Sequence, residues 1–150
     1  MVRFASISQA AAAIVLASVA AHAADPVSVT VTGSPDDVMF EVETAIQNRG
    51  LVIDSVNDVG GMLERTKSAV GSDVTVFTFG KVFTFCSAEV SRKVMEADPM
   101  NLQYCPYRIF VAETPDAPGQ VTIGHTAYPA DVQPITDLLD SILKEAASGF

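Results

Sequence analysis

Residues 85–113 read FCSAEVSRKVMEADPMNLQYCPYRIFVAE and contain both cysteines of the 150-residue chain. Ser87 is placed to cap a helix, because a serine hydroxyl can accept a hydrogen bond from a free amide of the first helical turn. That helix should end at Asp98, since the residue before a proline is pushed out of helical geometry. Tyr107–Glu113 then has the aromatic and β-branched residues that favour a strand. A helix and a return loop are therefore predicted between two strands, with a cysteine near each strand.

The relative direction of these two strands decides where Cys86 and Cys105 lie. A helix of about eleven residues spans roughly 16 Å, and the following eight residues reach at most about 27 Å, so the chain can return to its starting edge. If the strands are antiparallel neighbours, both cysteines lie at one edge of the sheet and a disulfide is feasible. If the strands are parallel, the cysteines lie a strand's length apart and the bridge is not feasible.

Alternating or β-branched runs predict further strands at Val27–Thr32, Leu51–Val56, Val74–Phe85 and Gln120–Thr126. Gly80 interrupts the third run, either as a bulge in one long strand or as the turn of a hairpin at Gly80–Lys81. We favour the bulge. The turn residues 115–119 make the connection before the last strand short, which favours antiparallel pairing there.

Three more helices have recognisable caps. Ser34 followed by Pro35 begins the first, and Gly50 closes it. Asn57 or Asp58 begins the second, and Asp131 begins the last. The second helix has a candidate buried face and ends at Gly71; the face consists of Val59, Met62, Leu63, Thr66 and Val70.

These elements follow the order β-α-β-(α)-β-α-β-β-α. Short connections between strands favour antiparallel neighbours, and amphipathic helices must bury their apolar side against a sheet. We therefore predict an α+β fold of two layers, in which helices cover one face of a mainly antiparallel sheet.

The first 23 residues have the pattern of a secretory signal peptide. Arg3 supplies positive charge, Ala10–Ala21 is apolar apart from one serine, and Ala21 and Ala23 are small residues where signal peptidase cleaves. The apolar run is too short to span a bilayer, which needs about 20 residues. We expect cleavage near Ala23, no membrane anchor, a single domain over residues 24–150, and release into the periplasm or the medium.

The charge of the chain excludes one class of partner. Its net charge is −9, and loss of the signal peptide would leave eight basic and 18 acidic residues, a net charge of −10. Nucleic-acid binding requires clustered basic residues that displace counterions from phosphates. No nucleic-acid partner is expected. An exported chain also meets an oxidising environment, in which a disulfide persists.

The pieces FCSA, ADP and YCPY within residues 85–113 resemble the family catalogued as domain of unknown function 302. The resemblance extends from Val27 to the last helix. It implies a fold similar to the TATA-binding-protein class, an antiparallel sheet in β-α-β4-α order with helices on one side. The helices at Val59–Val70 and Ser87–Ala97 would then be insertions. The resemblance also implies self-association, but no activity.

A site is predicted around the cysteines. Cys86 and Cys105 would form a disulfide, stabilising by about 3 kcal/mol through its loop of nineteen or twenty residues. The candidate ligand-binding residues beside them are Tyr107, Arg108, Asp98 and Ser87. Arg108 would hold an anion, or would instead pair with a carboxylate. The principal functional hypothesis is an uncharacterised exported module that binds a small molecule or a partner protein.

The alternative hypothesis gives the cysteines a redox or metal-binding role. Cys86 precedes a helix amino terminus, which lowers the pKa of a thiol. Thiolate, thioether and imidazole together suit copper or haem iron. The candidate ligands are Cys86, Cys105, His125 and Met95, with Met100 nearby. Neither Gly-x-Ser-x-Gly nor His-Glu-x-x-His occurs, so no reaction is predicted, and no cofactor is established by the sequence.

Overall fold

The computed structural model describes residues 25–150; the predicted signal peptide and its cleavage site near Ala23 lie outside the described residues. Within residues 25–150 the strands are β1 (Val27–Thr32), β2 (Ile53–Asp58), β3 (Phe79–Phe85), β4 (Tyr107–Glu113) and β5 (Gln120–His125). The α-helices are α1 (Pro35–Gln47), α2 (Val59–Thr66), α3 (Ala88–Ala97) and α4 (Gln133–Ala147). Short 3₁₀ helices occur at Lys67–Val70, Pro99–Tyr104 and Ala130–Val132. No helix in this part of the chain is long and apolar enough to cross a membrane.

The strands form one antiparallel sheet in the order β1-β5-β4-β3-β2. β3 and β4 are neighbours, with Phe85 opposite Tyr107. The parallel arrangement of these two strands is thereby excluded. The α+β class and the antiparallel sheet are confirmed, and the element order is β-α-β4-α with α2 and α3 as insertions.

The hydrophobic core lies between one face of this sheet and the helices α1 and α4. Because side chains alternate along a strand, Phe83, Ile109 and Ile123 point to the same side, where they are fully buried. The apolar stripes of the two helices cover them; these are Val38, Val42 and Ile46 in α1, and Ile135, Leu139 and Ile142 in α4. The spacing of apolar residues along each helix thus determines which side of the helix packs on the sheet.

Most of the predicted helix caps are present. The side chains of Ser34, Asp58 and Ser87 each accept a hydrogen bond from an amide in the first turn of α1, α2 and α3. The prediction for Asp131 is wrong, because Asp131 lies inside a 3₁₀ turn and Val132 occupies the cap position of α4. The chain enters α4 through that turn, which satisfies a backbone amide without a capping side chain.

Gly80 is neither a bulge nor a hairpin turn. β3 begins at Phe79, five residues later than predicted, and its register with β4 is unbroken through Gly80. A Cβ on Gly60 would lie 2.8 Å from the amide nitrogen of Gly80, closer than real Cβ contacts come. Gly80 alternates with the inward-facing Phe79, so α2 approaches the sheet from the face opposite α1 and α4. The glycines permit that close packing of helix on strand.

Two details of β2 and α2 differ from the predictions. β2 begins at Ile53 rather than Leu51, ends at Asp58 rather than Val56, and carries a register shift between Ile53 and Ser55. The predicted apolar face of α2 is buried only in part, since Val59 and Leu63 are half-buried while Met62 is 42% exposed and Val70 is 76% exposed. The backbone contact between Gly60 and Gly80 and the half-buried side chains of Val59 and Leu63 hold this helix on the sheet.

Candidate functional site

Cys86 and Cys105 form the predicted disulfide. Cys86 follows β3, Cys105 precedes β4, and their Cα atoms are 6.4 Å apart. The chain between the two strands, residues 86–105, is here called the excursion. The antiparallel pairing of Phe85 with Tyr107 brings both of its ends to the same end of β3 and β4. The bridge therefore closes the segment that contains α3 and the following 3₁₀ helix, and no free cysteine remains in residues 25–150.

Tyr107 lies beneath the disulfide and faces the core. Its side chain is 1% exposed, and its ring packs edge-to-face on Phe85. The Tyr107 hydroxyl lies 2.8 Å from Ser91 Oγ, which in turn is 4.0 Å from Cys105 Sγ. Burial raises the pKa of the Tyr107 phenol, and its hydrogen bond with Ser91 opposes that effect. Tyr107 is therefore linked to the disulfide through the Ser91 hydroxyl and does not face solvent.

Ser87 and Asp98 are helix caps. Ser87 is buried, and its hydroxyl accepts from the amide of Val90. The Asp98 carboxylate accepts from the amide of Met100 at the start of the 3₁₀ helix. Each side chain thereby satisfies a backbone group at a helix start. Both residues position the excursion between the cysteines.

Arg108 opens into a small pocket beside the disulfide, which we call the Arg108 pocket. Its volume is about 210 Å³. It is lined by Gln103, Tyr104, Pro106, Arg108, Thr126 and Tyr128. Arg108 alternates with the buried Tyr107 and Ile109, so its side chain is exposed. Within residues 25–150 the Arg108 guanidinium makes no ion pair with a carboxylate.

Two tyrosines complete this pocket. The rings of Tyr104 and Tyr128 meet edge-to-face with centroids 5.5 Å apart. Burial raises the pKa of the Tyr128 phenol, and the positive charge of Arg108 opposes that effect. The Tyr128 hydroxyl is therefore protonated at neutral pH and can donate a hydrogen bond. Guanidinium, phenols, a threonine hydroxyl and an amide together give the pocket a predominance of donors.

His125 is held in a different set of contacts. Its ring is buried, Nδ1 lies 2.7 Å from the Thr126 carbonyl oxygen, and Nε2 lies 2.9 Å from Asp140 Oδ1. Both ring nitrogens are thus occupied, so His125 cannot serve as a catalytic base paired with Asp140. Its ring also packs against Tyr128, with centroids 6.1 Å apart. His125 supports the back of the Arg108 pocket.

The structure does not assemble the predicted copper or haem ligands. Both sulfur atoms are in the disulfide, and Met95 packs against the core. Met100 is exposed on the 3₁₀ helix. Among residues 25–150, no three side chains of the histidine, cysteine or carboxylate type are grouped so that they could hold a metal ion. A volume of 210 Å³ is also small beside the 300–1,000 Å³ of common cofactor pockets.

The sequence predicted Arg108 as a site residue but did not predict Tyr104 and Tyr128, which line the same pocket. The chain has three tyrosines, and all three lie in this region: Tyr107 in the wall beneath the disulfide, Tyr104 and Tyr128 around Arg108. The signal in the sequence was YCPYR, which places Tyr104, Pro106 and Arg108 together. Tyr128 gave no signal, because β-sheet pairing alone brings the segment after β5 beside β4.

Comparison with known proteins gives a family and a fold. Residues 27–148 match the family described as Domain of unknown function DUF302. The crystal structure of an uncharacterized conserved protein DUF302 from Bacillus stearothermophilus is similar, with a TM-score of 0.63 and 14% sequence identity. The alignment covers 82% of this chain and 95% of that protein. At this identity the likeness shows the fold alone. None of the curated proteins matches the chain significantly.

Proposed function

Since this chain belongs to the family Domain of unknown function DUF302, which supplies no activity, we propose from the site itself that the protein binds a small anion in the Arg108 pocket. The observation that carries the proposal is the exposed Arg108 guanidinium, which has no ion-pair partner within residues 25–150 and opens into a pocket of hydrogen-bond donors. Arginine presents a planar fork of donors that matches a carboxylate or phosphate.

The size and walls of the pocket favour a small aromatic carboxylate. A volume of 210 Å³ equals about seven water molecules. Tyr104 and Tyr128 offer ring surface, and the Tyr128 phenol can donate a hydrogen bond to a ligand beside Arg108. The carboxylate would pair with Arg108 while its ring packs on the tyrosines. A larger groove elsewhere lacks a basic side chain and is less suited to an anion; it is lined by Glu43, Gln47, Leu51, Val52, Ile53, Ser55 and Val56.

Calorimetric titration with benzoate and with inorganic phosphate tests this proposal. We expect benzoate to bind, and Arg108→Gln to weaken that binding at least about tenfold, a loss near 1.4 kcal/mol. Arg65→Gln is the matched control, because Arg65 is also an exposed arginine and lies outside the pocket. Tighter binding of phosphate than of benzoate would change the ligand class. Equal effects of the two substitutions, or no binding of either probe, would refute the proposal.

We further infer that the protein is exported and works outside the cytoplasm. The pattern of residues 1–23 and the disulfide support this, since a disulfide persists in an oxidising compartment. Mass spectrometry of the protein from its native host would report the cleavage point, the state of the cysteines and any retained small molecule. An uncleaved chain with two free thiols would contradict export.

Dithiol–disulfide exchange is a second candidate function, favoured by the contact between Ser91 and Cys105. An external dithiol would lose two electrons and form a disulfide, while Cys86–Cys105 gains two electrons and two protons and becomes two thiols. The Ser91 hydroxyl, 4.0 Å from Cys105 Sγ, is placed to donate to a Cys105 thiolate. A reduction potential above about −300 mV, changed by Ser91→Ala, would support exchange, because structural disulfides lie below that value. A lower potential, insensitive to Ser91, would leave the bridge structural.

A further inference from the structure

A second pocket lies beside the first turn of α2, on the face of the sheet opposite α1 and α4, which we call the open face. This apolar pocket has a volume of about 160 Å³. Lys81 borders it, but the Lys81 side chain alternates to the other face, where its Nζ lies 5.0 Å from the centre of the Phe79 ring. The walls are otherwise apolar residues: Val59, Phe77, Gly80, Val82, Phe110 and Ala112. The pocket thus suits an apolar group.

The missing side chain of Gly80 keeps this pocket open. A Cβ on Gly80 would lie 3.2 Å from Cγ of the Phe77 ring, which forms the outer wall. Any larger residue would therefore press on that wall and occupy part of the floor. A glycine inside a strand often marks a place where a backbone or a ligand approaches closely. At Gly80 the backbone of α2 approaches on one side, and the apolar pocket lies beside it.

The apolar pocket and the Arg108 pocket share one strand of the open face. Arg108, Phe110 and Ala112 alternate with three fully or almost fully buried residues of β4, so all three point to the open face. Arg108 lines one pocket, whereas Phe110 and Ala112 line the other. Ala112 lies four residues beyond Arg108, about 14 Å at the rise of a strand. A positive charge and an apolar pocket therefore lie in line along β4.

The surface between the two pockets is apolar. Phe110 lies midway, and its ring leans over β5, since a Cβ on Gly124 would be 2.6 Å from Phe110 Cζ. Val82 is the neighbour of Phe110 on the other side, across the β3–β4 pair. The Phe110 ring and the Val82 side chain thus border a path from Arg108 to the apolar pocket.

We propose that the ligand is an alkyl carboxylate, whose carboxylate pairs with Arg108 and whose unbranched chain crosses Phe110 and ends in the apolar pocket. This inference rests on the proposed binding of a carboxylate at Arg108 and adds the chain. Arginine matches a carboxylate in charge and in geometry. A chain of roughly ten carbons spans most of the about 14 Å along the strand. The ring of benzoate then occupies the place of the first carbons of this chain.

Calorimetric titration with hexanoate and decanoate, both kept monomeric, tests the proposal. Because burial of each methylene favours binding, decanoate should bind at least about tenfold more tightly than hexanoate. Arg108→Gln should weaken both ligands by the same factor. Ala112→Leu fills the apolar pocket, so it should bring the affinity for decanoate to within about threefold of that for hexanoate. Ala97→Leu is the matched control, because Ala97 is exposed on α3 and lines neither pocket; it should keep the tenfold gain.

The outcomes separate this inference from the proposed function. Equal affinities for hexanoate and decanoate, with benzoate still bound through Arg108, would overturn the chain and leave the anion site in place. A tenfold gain that persists in Ala112→Leu, or decanoate binding that Arg108→Gln does not weaken, would also overturn it. Absence of binding by benzoate and both alkanoates would refute both proposals.

A second variant covers the case in which Ala112→Leu fails to fold by circular dichroism. Val82→Thr keeps the shape of the side chain and places a hydroxyl in the wall of the apolar pocket. It should reduce the gain of decanoate over hexanoate at least about threefold, because a chain cannot satisfy that hydroxyl. An unchanged gain in Val82→Thr would contradict the placement of the chain.

Discussion

Removal of the Cys86–Cys105 bridge should destabilise the fold without changing it. The change is the double substitution Cys86→Ala and Cys105→Ala, which removes both sulfur atoms and leaves no odd thiol. The cysteines are 19 positions apart. For a closed loop of about 20 residues, the chain-entropy relation gives a loss of about 3 kcal/mol in the free energy of unfolding.

This loss can be measured by urea unfolding and by heat. About 3 kcal/mol is a large part of the 5–15 kcal/mol of a typical domain. For a chain of this length it corresponds to a fall in Tm of about 10 °C. The m-value should rise slightly, because an uncrosslinked chain exposes more surface on unfolding. The reduced wild type is the control, and it should resemble the double variant.

Two results would refute this reasoning. A loss below about 1 kcal/mol would mean that the unfolded chain is not constrained by the bridge as the entropy relation assumes. A reduced wild type much less stable than the double variant would mean that two thiols are poorly accommodated beside Ser91 and Tyr107. In that case native-state contacts, not loop closure, would dominate the contribution of the disulfide.

Two further substitutions probe other parts of the structure. Gly60→Ala should lower the free energy of unfolding, measured in urea, by about 1–2 kcal/mol. The clash of the new Cβ with the backbone of Gly80 outweighs the gain of about 1 kcal/mol in helix propensity. An increase in stability would contradict the contact between α2 and β3. Glu113→Gln should lower stability at pH 7 but much less at pH 3. Hydrogen bonds from Thr78 and Gly119 hold the pKa of Glu113 below its ordinary value of 4.5, so its contribution is present above pH 4.5 and is lost as the pH falls through the folded-state pKa. Equal differences between wild type and variant at both pH values, measured by thermal unfolding, would refute this assignment.

Much of the fold could be read from local chemistry. Tyr107–Glu113 and Val27–Thr32 were predicted with the bounds that the structure shows, because their alternation and branched residues suit a half-buried strand. The caps at Ser34 and Ser87 were predictable for a similar reason, since a capping hydroxyl acts within one turn of its own helix. Gly80 was misread because its neighbour in space, Gly60, is far away in the sequence. A glycine demanded by tertiary contact looks the same in sequence as one demanded by a turn.

The candidate site was predictable only in part, for the same physical reason. The disulfide depended on one choice between antiparallel and parallel strands, and the structure makes that choice. Tyr107 was chosen for its place in the sequence, but strand alternation turns it inward and turns Arg108 outward. Tyr128 follows β5 and lies beside Arg108 in β4 because these two strands are paired. No local sequence pattern indicates that contact.

The bridge between the ends of β3 and β4 also limits how far an opening of the excursion can spread through the sheet. α3 and the 3₁₀ helix after it leave the sheet and return to it at a covalently fixed base. If α3 opens transiently, β3 and β4 cannot drift apart at that end, so the fluctuation stays local. Such an opening would expose Val94, which is part of the buried core, but it would leave the paired ends of β3 and β4, and Arg108 at the start of β4, in place.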